Sequence, residues 1–288
     1  MSLFHAVLKD VIHPAEERLG DYRDEEDGLL RCGVCHEKKE FRIQIFPDQP
    51  PSVVPVPCEC MKKKQREEEA ERKAQEARDR IEAMRRQGLA DDLYLGYTFA
   101  DDDRRDEKAS RIARRYVTEF DQFTAHNIGL MLYGEVGVGK SFLAGCIANA
   151  LIDHGNYVLM STVQNLVAEA GKDFNEDREE VFREIAGARL LILDDFGVER
   201  NTEYMTEQTY EIINARYKAK KPLIITTNLS PALMEQEKSL DKCRIYERIM
   251  EMCQTVRVNG GSRRMGIAQA KADMARKLLR LDEEDEAG

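Results

Sequence analysis

Residues 134–141 have the sequence GEVGVGKS and lie between an apolar run, IGLMLY at 128–133, and a stretch with the composition of a helix. They match the pattern G-x-x-x-x-G-K-[ST] in the strand–loop–helix setting of a phosphate-binding loop. In such a loop, backbone N–H groups and the N-terminal end of the following helix face the phosphates. Lys140 is expected to reach the β- and γ-phosphates, and the Ser141 hydroxyl to coordinate Mg²⁺. The candidate nucleotide-binding residues are Gly134, Glu135, Val136, Gly137, Val138, Gly139, Lys140 and Ser141.

Around this loop, apolar runs alternate with segments that have helical composition. The predicted strands are IGLMLYG, YVLMST, RLLILDDF, PLIITTN and QTVRV. Near-continuous apolar strands separated by helices are typical of a parallel sheet that is covered by helices on both faces. The second half of the chain is therefore predicted to be an α/β domain.

Two of the predicted strands end in polar side chains. The strand that begins at Leu190 ends in Asp194 and Asp195. Burying two carboxylates costs free energy unless they contact a cation or water. Alongside a phosphate loop, Asp194 is expected to hold Mg²⁺ through water, and Asp195 to orient or deprotonate the attacking water. By itself the pair would also fit an acidic N-cap for the next helix. Asn228 ends PLIITTN and is a candidate for contact with the γ-phosphate. An Asn at the end of a strand commonly serves only to form a turn.

Four of the seven cysteines fall within residues 32–60, as the pairs Cys32/Cys35 and Cys58/Cys60. Four thiolates can close a tetrahedral Zn²⁺ site, and four protein ligands leave no open position for catalysis. The cluster therefore predicts a structural zinc knuckle. His36 is an alternative for one of the four ligands, and free or redox-active thiols are the alternative to a metal site.

The composition also indicates how the chain is organised. Its 288 residues, of which 34% are charged, suit one large domain or two ordinary ones. No apolar run has the length of a membrane helix, and the first residues lack the features of a signal peptide, so we expect a cytoplasmic protein with no membrane partner. Residues 61–87 interleave both charges with almost no apolar stripe, which predicts a solvated helical spacer. The predicted divisions are a zinc-bearing partner-binding domain at 1–60, a linker at 61–96, an ATPase domain at 97–270 and a charged tail at 271–288.

The order of the motifs resembles that of the AAA+ ATPases of the DnaC and DnaI helicase-loader group, whose near relatives are the IstB-type transposition helpers. The resemblance runs from about Tyr97 to Arg264 and includes LLILDDFG, PLIITTN and RIYERI. It implies an AAA+ P-loop fold, ATP hydrolysis with Mg²⁺, and subunits that form an open ring or spiral when ATP is bound. It also implies a replicative DnaB-type helicase and single-stranded DNA as partners. The net charge of −10 indicates that DNA binding would be weak and sensitive to salt.

The same resemblance assigns roles to arginines near the end of the ATPase domain. Arg244 matches the residue that a subunit donates to the ATP of its neighbour, with Arg248 one helical turn later as the alternative. Residues 260–264 resemble the family's G-x-S-x-R segment, in which Arg264 is preferred over Arg263 as a second sensor. The chain has Asp195 where many AAA+ proteins have glutamate, so slow hydrolysis is expected. Arginines on a helix or beside a strand commonly form surface ion pairs instead.

The motifs and the resemblance are consistent with three functions. The first is an ATP-dependent loader of a replicative helicase onto single-stranded DNA, in which residues 1–60 bind the helicase. The second is an IstB-like ATPase helper of a transposase, which the four-cysteine knuckle disfavours because such helpers usually lack one. The third is an ATP-binding adaptor that does not hydrolyse nucleotide. A zinc-finger regulator is poorly supported, because the knuckle has no basic recognition helix.

Overall fold

The structure is a computed structural model that describes residues 15–45, 47, 50–171, 176–198 and 202–279. The chain divides into two compact units, Met1–Asp79 and Arg80–Gly288, and the division falls inside one long helix. The domain limits expected at residues 60, 96 and 270 stay predictions. Within the described ranges, no helix combines the length and the apolar character needed to cross a membrane.

Two antiparallel pairs of short strands occur in the first unit. They are β1 (Tyr22–Arg23) with β2 (Leu30–Arg31), and β3 (Glu40–Ile43) with β4 (Ser52–Pro55). Strand β4 lies in the proline-dense segment, whose composition argues against a helix or a central strand. Each strand of a two-stranded ladder is an edge strand, so proline is tolerated there.

Several charged groups are buried in this first unit. Lys39 and Asp21 form a buried ion pair, and the hydrogen bond from Lys39 lowers the pKa of the Asp21 carboxyl to about 2. The buried carboxylate of Glu40 accepts hydrogen bonds from the backbone N–H of Leu30 (3.0 Å) and from the guanidinium of Arg23 (2.9 Å). Because buried charges are tolerated only with such partners, these contacts link the strands of the unit to one another.

The second unit contains a parallel sheet, as the alternation of apolar runs predicts. Among the residues that the structure describes, five strands pair in the order β6-β7-β8-β5-β9. Their bounds are β5 Gly129–Tyr133, β6 Val158–Thr162, β7 Leu190–Phe196, β8 Leu223–Thr227 and β9 Cys253–Arg257. All of the pairings are parallel, so the carboxyl ends of the strands share one edge of the sheet.

Helices follow most of these strands. The described helices are α1 Glu59–Gly88, α2 Asp92–Leu95, α3 Glu107–Thr118, α4 Phe120–Ala125, α5 Lys140–Asp153, α6 Val163–Ala170, α7 Glu176–Gly187, α8 Glu203–Ala219, α9 Pro231–Glu235, α10 Leu240–Met252 and α11 Arg263–Leu278. A 3₁₀ turn, Phe99–Asp101, precedes α3.

The two faces of the sheet bury two separate apolar cores. On β5, Leu130 and Leu132 point to one core, which includes Ile147 of α5. Met131 lies between them in sequence and points to the other core, which includes Ile213 of α8. Successive residues of a strand face opposite sides, so a strand buried on both faces is apolar at every position. This confirms the predicted sheet with helices on both faces.

The charged helix predicted at 61–87 is present as α1, but its last turns are not solvated. Ile81 and Met84 pack against the core that contains Ile147, and Arg85 donates a hydrogen bond to Oδ1 of Asn149 on α5 (3.1 Å). The prediction of a solvated spacer is wrong for this end of the helix. Two apolar residues three positions apart meet on one helix face, yet they are too few to form a stripe along the whole segment.

Arg216 of α8 is a fully buried cation whose described partners are backbone carbonyls. Its guanidinium donates hydrogen bonds to the carbonyls of Ile185 (2.9 Å), Ala188 (2.8 Å), Arg189 (3.1 Å) and Pro222 (2.6 and 3.0 Å). These carbonyls lie at the end of α7, before β7 and before β8. Burial lowers the pKa of Arg216 to about 9. The side chain therefore ties two connections of the sheet together, the one from α7 to β7 and the one from α8 to β8.

Replacement Arg216→Met keeps a long side chain but removes the guanidinium that donates to those carbonyls. Each unsatisfied buried group costs about 1–3 kcal/mol, so we expect the free energy of unfolding to fall by at least about 3 kcal/mol. Urea unfolding followed by circular dichroism measures this. Arg183→Met, at an exposed position of α7, is the matched control and should change stability by less than about 0.5 kcal/mol. Equal unfolding midpoints for the two variants would contradict the assignment.

Candidate functional site

The candidate phosphate loop connects β5 to α5, as its sequence predicts. Gly137 and Gly139 have φ angles of 85° and 104°, a region of backbone conformation that favours glycine. Lys140 begins α5, and its buried ammonium lies over the loop, where it donates hydrogen bonds to the carbonyls of Gly134 (3.0 Å) and Glu135 (2.7 Å). The loop thus curls around the lysine that is expected to bind phosphate.

The lysine also contacts the residue predicted at the end of β8. Lys140 Nζ donates a hydrogen bond to Oδ1 of Asn228, at 2.8 Å. Strand β8 lies between β5 and β7, so Asn228 follows the strand that separates the phosphate loop from the paired carboxylates. The structure therefore brings together two residues that are 88 positions apart in the chain.

The two carboxylates at the end of β7 have different environments. Asp194 is buried, whereas Asp195 is exposed and has a φ of 51°. The pairing of β7 with β8 shifts register between Leu193 and Phe196, so the strand bulges at the two acids. A bulge re-aims side chains at the edge of a sheet, and Asp tolerates the left-handed conformation better than most residues. The bulge thus directs Asp195 to solvent and leaves Asp194 inside.

Two hydroxyl groups that the sequence did not single out hold Asp194. Thr226 Oγ1 donates to Asp194 Oδ1 (2.6 Å) and also accepts from the backbone N–H of Asp195 (2.9 Å). The hydroxyl of Tyr94 donates to Asp194 Oδ2 at 3.0 Å. The sequence could have indicated a role for Thr226, because a polar residue inside an apolar strand needs a hydrogen-bond partner. No sequence pattern indicates the role of Tyr94, since it lies 100 residues before its partner.

The two arginines weighed for the role of a donated arginine differ in exposure. The side chain of Arg244 is 57% exposed on the first turns of α10, with Asp241 at 3.6 Å. It borders a groove of about 710 Å³ between the start of α8 and the start of α10. The guanidinium of Arg248 stacks on Tyr210 and Tyr217, with ring centroids at 4.6 and 5.3 Å. Arg244 is therefore accessible, while Arg248 contributes to the packing of α10 on α8.

The predicted second sensor begins α11, but the side chains of Arg263 and Arg264 lie outside the described residues. Ser262, just before them, accepts a hydrogen bond from the backbone N–H of Met265 (3.3 Å) at the start of the helix. A Cβ atom added to Gly137 would collide with the Ser262 hydroxyl. The segment that resembles G-x-S-x-R thus runs directly beside the phosphate loop.

The four clustered cysteines converge in the first unit. The sulfur atoms of Cys32, Cys35, Cys58 and Cys60 all lie within 4.8 Å of one another. Ligands of a tetrahedral zinc ion with 2.3 Å Zn–S bonds are about 3.8 Å apart, so the donor set fits zinc after a small contraction. His36 lies outside this group of sulfurs, and its ring contacts the hydroxyl of Tyr22 at 3.2 Å.

The thiols of the cluster are not equivalent. A hydrogen bond from the backbone of Glu37 lowers the pKa of Cys35 to about 7. The hydrogen bond with Cys35 raises the pKa of Cys60 to about 12. One sulfur of the cluster is therefore predisposed to be a thiolate, the form that binds metal.

Comparison with known sequences places these features in a wider group. Residues 61–271 match the family model described as "IstB-like ATP binding protein". The replicative helicase loader DnaI of Bacillus subtilis is 27% identical over 208 residues, which cover 67% of this chain and 66% of DnaI. The replicative helicase loader DnaC of Escherichia coli K12 is 29% identical over 140 residues, or 46% of this chain and 56% of DnaC. The chain thus spans less than two thirds of the length of these relatives.

Solved structures show the same similarity. The crystal structure of DnaI is 27% identical with a TM-score of 0.50, over 58% of this chain and 93% of that chain. A putative primosome component from Streptococcus pyogenes serotype M3 is 23% identical with a TM-score of 0.50, over 61% of this chain and 93% of that chain. The second similarity concerns the fold alone. Together with the family match, these findings confirm the predicted AAA+ fold and the resemblance to the helicase-loader group.

Proposed function

Because the chain belongs to the family of IstB-like ATP binding proteins, we propose that it is an ATPase that loads a replicative DNA helicase onto single-stranded DNA. The observation that carries the ATPase part is the meeting of the phosphate loop, Lys140, Asn228 and the paired acids at the ends of three neighbouring strands. The loader part is supported by the similarity to DnaI and DnaC, which are named as replicative helicase loaders.

In this proposal, residues at the ends of β5, β7 and β8, or just after them, have different roles in ATP hydrolysis. The loop N–H groups and Lys140 bind the phosphates, and Lys140 would exchange its carbonyl partners for phosphate oxygens. Asp195 is exposed, as a group that orients and deprotonates the attacking water must be. The hydrogen bond between Lys140 and Asn228 supports a role for Asn228 in contacting the γ-phosphate.

The residues present also fit a magnesium ion. Ser141 and Asp194 would hold it, and the ion would neutralise charge on the phosphates during transfer. Each oxygen of Asp194 accepts one hydroxyl, from Thr226 and Tyr94 respectively. A carboxylate oxygen has a second acceptor position, so both oxygens can still accept from water bound to the metal.

We further propose that active subunits form an open ring or spiral in which Arg244 reaches the ATP of a neighbour. Its exposure fits this role, since a donated arginine must be accessible from outside its own subunit. Arg264 is proposed as the second sensor, on the strength of the G-x-S-x-R resemblance and the position of Ser262 beside the phosphate loop. Arg248 is not proposed, because its guanidinium already packs on two tyrosines.

The four cysteines are proposed to hold one structural zinc ion in the unit that binds the helicase. Four converging sulfurs leave no open coordination position, so the ion would stabilise the fold and take no part in hydrolysis. The unit buries several charged groups, so a metal would supply stability that a small apolar core lacks.

The proposal is tested with the full-length chain, single-stranded DNA and a replicative DnaB-type helicase. ATP hydrolysis that responds to both partners, together with capture of the helicase by the chain, is the expected result. An IstB-like transposition helper is a second candidate because the matching family is named for IstB. Hydrolysis that responds to duplex DNA, without helicase capture, would favour that function. Helicase capture without hydrolysis would favour an ATP-binding adaptor.

Lys140→Ala removes the cation that is proposed to bind the β- and γ-phosphates. We expect ATP affinity to fall by at least about 100-fold, which corresponds to about 2.7 kcal/mol, while the fold is kept. Equilibrium binding of a fluorescent ATP analogue measures affinity, and thermal melting without nucleotide checks the fold. A melting temperature lowered as far as by a core deletion would contradict this separation of roles.

Arg244→Ala should keep ATP binding and abolish hydrolysis in the assembled state, because its charge is used by the neighbouring subunit. A mixing experiment tests whether the arginine acts between subunits. Lys140→Ala subunits retain Arg244, and Arg244→Ala subunits retain ATP binding, so mixing the two variants should restore part of the turnover. Arg111→Ala, at an exposed position of α3, is the control and should hydrolyse ATP normally. Absence of any recovery on mixing, or normal turnover by Arg244→Ala alone, would show that the role is wrongly assigned.

Metal analysis of the purified chain should give one zinc ion per subunit. Cys35→Ser should lose most of this zinc and lower the stability of the first unit, since structural zinc contributes folding free energy. Cys243→Ser provides a control, because Cys243 lies on α10 with its thiol against the carbonyl of Glu237 (3.3 Å). Zinc content that is the same in both variants would argue for free thiols instead.

A further inference from the structure

Tyr94 is a buried tyrosine whose hydroxyl is aimed at the magnesium-binding carboxylate of the proposed site. The residue is 6% exposed, and its hydroxyl lies 3.0 Å from Oδ2 of Asp194, a residue that is itself 4% exposed. We propose that Tyr94 is a positioning residue that holds the Asp194 carboxylate in the orientation that receives magnesium. The inference rests on the proposed function and adds to it a residue outside the phosphate loop and the strand ends.

The geometry explains why two hydroxyl groups are needed. Thr226 holds only Oδ1 of Asp194, at 2.6 Å, and a carboxylate held at one oxygen can still rotate about its Cβ–Cγ bond. Tyr94 holds Oδ2 from outside the sheet, so both oxygens are fixed and the plane of the carboxylate is set. Groups that hold a metal ligand in this way orient it and tune its affinity for the ion.

The direction of the hydrogen bond is also fixed. An ionised carboxylate has no proton to donate, so the O–H of Tyr94 is the donor in this contact. A hydrogen bond to an ionised acceptor is shorter and stronger than one between neutral groups.

The backbone that carries Tyr94 is anchored on both sides. Before it, the N–H of Ala90 donates to the carbonyl of Met160 on β6 (3.1 Å), so the segment lies along the edge of the sheet. The side-chain amide of Asn149 on α5 donates to the carbonyls of Tyr94 (2.7 Å) and Tyr97 (3.0 Å). The helix that begins at the phosphate loop thus fixes the segment from which Tyr94 reaches Asp194.

Packing alone would not require a tyrosine at this position. The ring belongs to the core between the sheet, α3 and α5, where a phenylalanine would fill the same volume. Only the hydroxyl distinguishes the two residues, and its described partner is the carboxylate of Asp194. The Tyr94→Phe variant therefore separates the positioning role from the packing role.

The experiment is a magnesium titration of nucleotide binding. Full-length protein is mixed with a fluorescent ATP analogue, first with EDTA and then with increasing Mg²⁺. For Tyr94→Phe we expect the Mg²⁺ concentration at half-effect to rise about 10- to 100-fold, the range typical of lost outer-shell partners. Affinity in EDTA should be unchanged, because the hydroxyl does not touch the phosphate loop. Thr226→Val, which removes the other donor to Asp194, should shift the titration in the same direction.

The matched control is Tyr116→Phe. Tyr116 is buried in the same core, and its hydroxyl donates to the carbonyl of Ile128 at 3.0 Å. This variant should lose comparable stability and keep the wild-type magnesium titration. An unshifted titration for Tyr94→Phe, or equal shifts for the two phenylalanine variants, would overturn the inference.

Different results would overturn the proposed function itself. If the wild-type chain bound nucleotide no better than Lys140→Ala, the ATPase proposal would fall, and the inference about Tyr94 with it. If the wild-type chain bound nucleotide equally well with and without Mg²⁺, Asp194 would hold no metal, and only the inference and the magnesium role would be overturned. Thermal melting of every variant without nucleotide shows that each comparison is made on folded protein.

Discussion

The parallel pairing of β7 with β8 and of β8 with β5 is the constraint on which the candidate site depends. It puts the carboxyl ends of three strands side by side, so that Asp194, Asn228 and the phosphate loop meet at one edge of the sheet. The Lys140–Asn228 hydrogen bond of 2.8 Å is a direct product of that pairing. A shift of one residue in either ladder would turn these side chains to the opposite face.

Asp194, Lys140 and Arg216 are charged residues buried in the second unit, and each is held by polar partners. Asp194 is held by the hydroxyls of Thr226 and Tyr94, Lys140 by loop carbonyls, and Arg216 by carbonyls at two connections of the sheet. Hydroxyls and carbonyls satisfy a charge without neutralising it. Lys140 and Asp194 belong to the candidate site, whereas Arg216 contributes to the fold.

The first unit differs from the second in what can stabilise it. Its strands are two to four residues long, and it buries the Lys39–Asp21 ion pair and the Glu40 carboxylate. Four cysteine sulfurs within 4.8 Å of one another provide a set of ligands that a zinc ion can cross-link. Short strands and few apolar side chains give little hydrophobic stabilisation, so a metal-linked framework is the arrangement that suits this composition.

Local patterns in the amino-acid sequence were sufficient for the strand–loop–helix unit at 134–141, the alternation that predicts a parallel sheet, and the cysteine cluster. Each depends on residues close together in the chain, where spacing alone constrains geometry. Tertiary structure alone revealed that Tyr94 and Thr226 hold Asp194, that Arg248 packs on two tyrosines while Arg244 is exposed, and that the end of α1 packs on a core. These contacts join residues far apart in the chain, and the periodicity of one segment contains no information about which distant segment will pack against it.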